Sequence, residues 1–84
     1  MGTHTSLPVY CNNLNIVSAT LTAIGSGTLA WQLGVCSTET GSYTFENVTS
    51  GVLHTFSAVG KYLKWKVTST GAATVTNINI VVVT

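Results

Sequence analysis

Lys61-Tyr62-Leu63-Lys64-Trp65-Lys66-Val67-Thr68-Ser69 is the most regularly alternating stretch of the chain. Leu63, Trp65 and Val67 share one side; Tyr62, Lys64 and Lys66 share the other. A period of two places successive side chains on opposite faces of a strand, so this segment reads as a strand with one apolar face. The pattern recurs on both sides of it. Residues 74–83 put Thr76, Ile78, Ile80 and Val82 on one face. Residues 28–36 group Leu29, Trp31, Leu33 and Val35, and residues 14–24 group Val17, Ala19, Leu21 and Ala23. Shorter strands are expected at residues 9–11, 43–48 (Tyr43 and Phe45 together) and 52–58 (Val52, His54, Phe56 and Ala58 together). Between them lie Asn12-Asn13, Gly25-Ser26-Gly27, a polar loop over residues 37–42, Thr49-Ser50-Gly51, Gly60 and Thr70-Gly71. These are turn residues, and Gly25-Ser26-Gly27 reads as a tight reversal because glycine adopts positive φ without steric cost.

No segment has apolar residues at helical spacing over three turns. The expected fold is therefore all-β, a small antiparallel β-sandwich (jelly-roll or immunoglobulin-like) of about seven strands. Residues 1–8 are expected as a polar N-terminal arm and residues 9–84 as a single domain. Trp65, Leu63, Val67, Phe56, Leu21, Ile78 and Ile80 are the expected central layer. Most of the aromatic residues, Trp31, Tyr43 and Phe45 included, are expected to supply core volume, with Tyr10 and Tyr62 at the surface.

Composition points the same way. The 84 residues include 15 Thr, 11 Val, 8 Gly and one Pro, a mixture that suits pleated surfaces. Charged residues are 6% of the chain: three Lys and two Glu, for a net charge of +1. A nucleic-acid binder needs clustered cations against phosphates, so none is expected. So neutral a surface gives little colloidal repulsion, which favours an assembled role. The longest strongly apolar run, Ile80-Val81-Val82-Val83, is far short of the ~20 residues of a membrane-spanning helix, and no membrane association is expected. The first six residues fit the short N-myristoylation pattern, with Gly2 second and Ser6 sixth, but lack a basic start and an apolar run for secretion.

The inventory for chemistry is thin. Glu39 falls in the polar loop and Glu46 on a strand, and both read as solvated charges. His54 lies with Val52 and Phe56, as a half-buried, hydrogen-bonded histidine would. Cys11 and Cys36 read as two free thiols; a disulfide is the alternative, and across such a loop it would add about 3 kcal/mol. Neither they nor His4 and His54 have the close pairing of a zinc site. Gly25-x-Gly27 lacks the glycine, lysine and helix of a phosphate loop. Asn47-Val48-Thr49 matches a glycosylation sequon but reads as a strand end entering a turn. No enzyme activity, catalytic residue, metal or cofactor is expected.

Gly51-Val52-Leu53-His54-Thr55-Phe56, then Gly60, Leu63-Lys64-Trp65-Lys66-Val67, a glycine turn and a strand over residues 76–80 resemble a small β-sandwich module of bacteriophage virion proteins. That module occurs in tails, fibres and particle-surface components, and the resemblance covers about residues 14–82. It implies a structural virion protein, made in the host cytoplasm and residing on the virion surface. The short chain reads as a whole gene product, which favours a capsid decoration (cement) protein or small tail component over a fibre tip. Its partners would be the major capsid or tail protein and further copies of itself, with a trimer expected by analogy. The alternatives are a glycan- or receptor-binding adhesin module and a subunit of an extracellular filament. The interface is expected at Ile80, Val81, Val82 and Val83, because the last strand has neither charge nor proline to blunt its edge, and at Tyr10 and Tyr62.

Overall fold

The computed structural model describes residues 2–84. They form six strands: β1 (Gly2–Thr5), β2 (Val9–Tyr10), β3 (Ser18–Cys36), β4 (Thr44–Val48), β5 (Leu53–Thr55) and β6 (Tyr62–Val83), with no helix among the described residues. All belong to one antiparallel sheet in the order β1-β6-β3-β4, with β2 also on β6 and β5 also on β3. The centre of the sheet is the β3–β6 ladder, from Ser18 opposite Val83 to Cys36 opposite Tyr62.

This ladder has to bend. At ~3.3 Å per residue the 19 residues of β3 would extend about 60 Å. The longest dimension of the molecule is 37 Å. The connection from β4 to β5 requires the same bend. Val48 lies opposite Trp31 and Leu53 opposite Thr20. The step from Val48 to Leu53 reaches at most about 18 Å, half of the ~36 Å that a straight strand from Thr20 to Trp31 would cover. The sheet therefore folds back on itself. Its proximal half contains residues 28–36 and 62–70, flanked by β4 and by β1 with β2. Its distal half contains residues 18–26 and 74–83, flanked by β5.

The bend lies at the register shifts between Ile24 and Gly25 and between Ser26 and Thr28. From Thr70 to Thr74 β6 advances four residues while β3 advances two, from Thr28 back to Ser26. From Val75 to Asn77 it advances two while β3 advances one. β6 thus gains three residues, an odd number, and its inward parity switches. Leu63, Trp65 and Val67 face the core in the proximal half, and Ile78, Ile80 and Val82 in the distal half. β3 keeps odd residues inward throughout, from Ala19 and Leu21 to Trp31, Leu33 and Val35.

Gly25-Ser26-Gly27 and Thr70-Gly71 thus correct two expectations. They bend two continuous strands and do not reverse the chain, and the expected seven strands become six. The residue choice serves a bend equally well. Gly27 has φ +93°, and a Cβ on it would sit 2.7 Å from the Ala72 carbonyl oxygen. A Cβ on Gly25 would run into the Thr74 carbonyl oxygen. Asn12-Asn13 is a true turn: both residues have positive φ, and Leu14 N donates to Cys11 O at 2.9 Å. Left-handed conformations at both central positions are the mark of a type I′ turn, which asparagine tolerates.

The buried core consists of Ile16, Ala19, Leu21, Trp31, Leu33, Val35, Phe56 and Leu63. Trp65, Val67, Ile78 and Ile80, expected at its centre, are partly buried around its margin. Ile16 replaces Val17 as the inward residue because the regular alternation starts only at Ser18, and Val17 is exposed. Residues 2–5, within the expected arm, add β1 to β6, with His4 opposite Val67. Ser6 continues the contact, donating through its N to Trp65 O and accepting from Trp65 N on its Oγ, both at 2.9 Å. Pro8 has no N–H to donate, and pairing resumes only at Val9.

Gly27 and Gly51 both have positive φ, but only Gly27 is crowded; a Cβ on Gly51 would meet nothing within 4 Å. Gly51→Ala should cost about 1–3 kcal/mol of backbone strain. Gly27→Ala should cost about 1–3 kcal/mol more for overpacking the bend. Urea unfolding of the two variants measures the difference, and equal losses would refute the close approach at the bend.

Candidate interaction surfaces

Because the sheet is bent around one core, each half has its own outer face, and the two differ in chemistry. On the proximal half, alternation turns the even residues of β3 and β6 outward. Tyr10 pairs with Tyr62, their ring centroids 4.8 Å apart. Phe45 lies opposite Gly34. Its ring rests on the glycine, where a Cβ would come within 2.8 Å of Cδ1. Lys66 Nζ lies 4.0 Å from the centre of the Phe45 ring, and Lys64 Nζ lies 4.5 Å from that of Tyr43. Such contacts hold a lysine by the ring quadrupole without neutralising it. Gln32 Nε2 donates to Asn47 Oδ1 at 2.9 Å beside them. The Tyr43 hydroxyl donates to the Glu39 carbonyl at 2.9 Å, tying the polar loop to this face.

Tyr43 and Phe45 therefore correct the expectation that they fill the core. Alternation showed that they share a face; the pairing register with β3 decides that this face is outward.

The outer face of the distal half carries no charged side chain. Val81, Thr20 and Leu53 form one cross-strand row, and Val83, Ser18 and Thr55 the next. Val81 is 57% exposed, Val83 46% and Leu53 58%. The edge beside the two valines is open. Residues 77–83 of β6 pair with β3 on one side, while β1 and β2 pair only with the Tyr62–Ser69 part of β6. No described strand takes the other side of residues 77–83.

The structure divides the six expected interface residues. Val81 and Val83 are outward on the distal half. Ile80 and Val82 point inward and pack against the core. Tyr10 and Tyr62 belong to the outer face of the other half.

Glu46 corrects a further expectation. It is not a solvated charge; its side chain is only 19% exposed and faces away from Phe45. Oε1 lies 2.9 Å from His54 Nε2, and Oε2 accepts from Ser57 Oγ at 2.8 Å and Ser57 N at 3.1 Å. His54 packs edge-on against Phe56, their centroids 5.1 Å apart. The hydroxyl donates to the carboxylate and not to the imidazole, so the cluster joins β4 to β5 and the loop after it. Both cysteines are free. Cys11 packs against the core, whereas Cys36 is on the outward side of β3, its thiol pKa lowered chiefly by hydrogen bonding to Thr38. No group of three or more potential metal ligands occurs among the described residues.

No protein-family model, curated protein or solved structure matches the chain.

The Ser57 hydroxyl, aided by His54 and the Ser57 N–H, holds the Glu46 carboxyl below its ordinary pKa against the opposing effect of burial. A depressed carboxyl stabilises the fold fully above its unfolded pKa and loses that contribution as pH falls through the folded value. Stability of the wild type should therefore decline as pH drops below about 4.3, the ordinary glutamate value. In Glu46→Gln this acid-limb slope should shrink. Denaturant midpoints between pH 3 and 7 measure it, and an unchanged slope in the variant would show that the cluster is not thermodynamically coupled to folding.

Proposed function

We propose that this chain is a structural component of a bacteriophage virion, a capsid decoration protein or small tail protein that attaches to the particle surface as a homo-oligomer. In this reading the folded sheet is a small β-sandwich of the jelly-roll kind, and the chain is not a catalyst. The observation that carries the proposal is the open edge of residues 77–83, whose outward Val81 and Val83 are exposed. Soluble monomers blunt such edges with charge, proline or a bulge. Asn77-Ile78-Asn79-Ile80-Val81-Val82-Val83 has neither charge nor proline, and the register shift of β6 ends where this stretch begins. Full burial of a valine contributes roughly 1.5–3 kcal/mol, and the half-exposed Val81 and Val83 retain part of that for an interface. Repetition around a symmetry axis multiplies the gain per particle. The low charge supports assembly over free diffusion, and the resemblance of the His54 to Val67 region supplies the virion setting. The partners are then the major capsid or tail protein and further copies of the chain, three by analogy with particle-surface proteins.

Sedimentation of the isolated protein, and its recovery with purified particles, test this directly. The wild type should self-associate and co-purify with particles. Val81→Lys combined with Val83→Lys should shift it to monomer and lower its occupancy at least tenfold. A wild type that stays monomeric at high concentration, with a variant that decorates equally well, would remove this edge from the interface.

A further inference from the structure

We infer that the outer face of the proximal half binds an acidic oligosaccharide, one bearing carboxylates on its sugar units. This site is separate from the open edge of β6 and does not depend on particle attachment. Three features carry it. The first is uncompensated charge. Lys64 and Lys66 face outward, each over an aromatic ring, and neither has a carboxylate partner: among the described residues the only ion pair is His54 with Glu46. A lysine ammonium has three donors, so one turned toward a ring retains others for a carboxylate. The two lysines alternate on one strand face, about 6.6 Å apart along it, a spacing suited to neighbouring sugar units.

The second feature is a rigid aromatic surface. All three tyrosines of the chain lie on this face; the Tyr43 and Phe45 rings seat the two lysines, and the tilted Tyr10–Tyr62 pair, with Tyr10 exposed, is left to meet a ligand. Such rings present the apolar faces of sugars with large contact area at low conformational cost. Gly34 makes room for the Phe45 ring, and the Tyr43 hydroxyl is anchored on the Glu39 carbonyl, so both rings are held before any ligand arrives. The third feature is neutral hydrogen bonding. The Gln32–Asn47 amide pair uses one donor and one acceptor on itself, and its remaining amide groups can meet hydroxyls. Thr3 and Thr68, with hydroxyls 3.3 Å apart, extend the polar border. Two cations among tyrosines and amides suit a short acidic sugar chain, two of whose carboxylates they can meet, better than a nucleic acid, whose affinity scales with the number of phosphates neutralised.

Titration calorimetry with tetragalacturonate, its methyl ester and octathymidylate tests the inference. The acid should bind the wild type at least tenfold more tightly than the neutral ester, with an affinity that falls as salt rises. Lys64→Gln with Lys66→Gln should abolish the preference for the acid, and Lys64→Arg with Lys66→Arg should keep it. Lys61→Gln, which removes one charge just before β6 and outside the two lysine–ring contacts, should leave it intact. Tyr10→Ser should weaken acid and ester alike. Four results would each overturn the site: no binding of either sugar, equal binding of acid and ester, an acid preference that survives the double Gln variant or disappears in Lys61→Gln, or tighter binding of the oligonucleotide. Matching melting curves for variants and wild type confirm that each is folded when assayed.

Discussion

The antiparallel ladder between β3 and β6 is longer than the molecule that contains it, and that mismatch organises everything else. A continuous pair of strands of this length leaves a small chain two options: an exposed ribbon or a fold. Glycine at the inner corner makes the fold possible, because the backbones of residues 25–27 and 72–75 come closer than any side chain allows. The three extra residues of β6 at that corner bring even residues inward in one half and odd residues in the other. Without this switch, Ile78, Ile80 and Val82 would face solvent while Leu63, Trp65 and Val67 faced the core.

The fold also sorts the chemistry of the surface. In the proximal half the outward residues of β6 are Tyr62, Lys64 and Lys66; in the distal half they are Asn79, Val81 and Val83. One side of the molecule thus presents cations held over aromatic rings, and the other presents valine, threonine and asparagine. The short flanking strands β4 and β5 lie on opposite halves, and the Glu46–His54–Ser57 cluster joins them close to where the chain crosses from one to the other. This places the one ion pair among the described residues at the crossing.

Much of this was legible in the residues. Alternation identified which side chains share a face over residues 19–23, 29–35, 62–67 and 78–82, though not at Val17, and Asn12-Asn13 marked a turn that the structure contains. What it did not determine was pairing. A glycine pair that permits a hairpin also permits a bulge, so Gly25-Ser26-Gly27 gave no local sign that β3 continues to Cys36. β1 forms only because β6 offers it an edge more than sixty residues away, a non-local contact that the polar composition of residues 2–5 does not reveal. Tyr43 and Phe45 look like core residues until Gly34 is found opposite Phe45. Glu46 alternates with Phe45, which already places it on the opposite face, and His54 follows after a single turn. Those two facts were the available signal for the ion pair. Residues 77–83 lack charge and proline, which suits a central strand as well as an edge; that no described strand pairs with their outer side is a result of the pairing.

The central claim is that β3 and β6 pair with each other on both sides of the bend, with a change of parity at the corner. Cross-strand Hα and amide NOEs in a uniformly labelled sample test it most directly. The account predicts contacts between Leu21 and Ile80 and between Ala23 and Ile78 in the distal half, together with Trp31 to Val67 and Leu33 to Trp65 in the proximal half. Contacts of residues 18–24 with residues 28–34 across a tight turn at Gly25-Ser26-Gly27 would contradict it, because β3 would then be a hairpin.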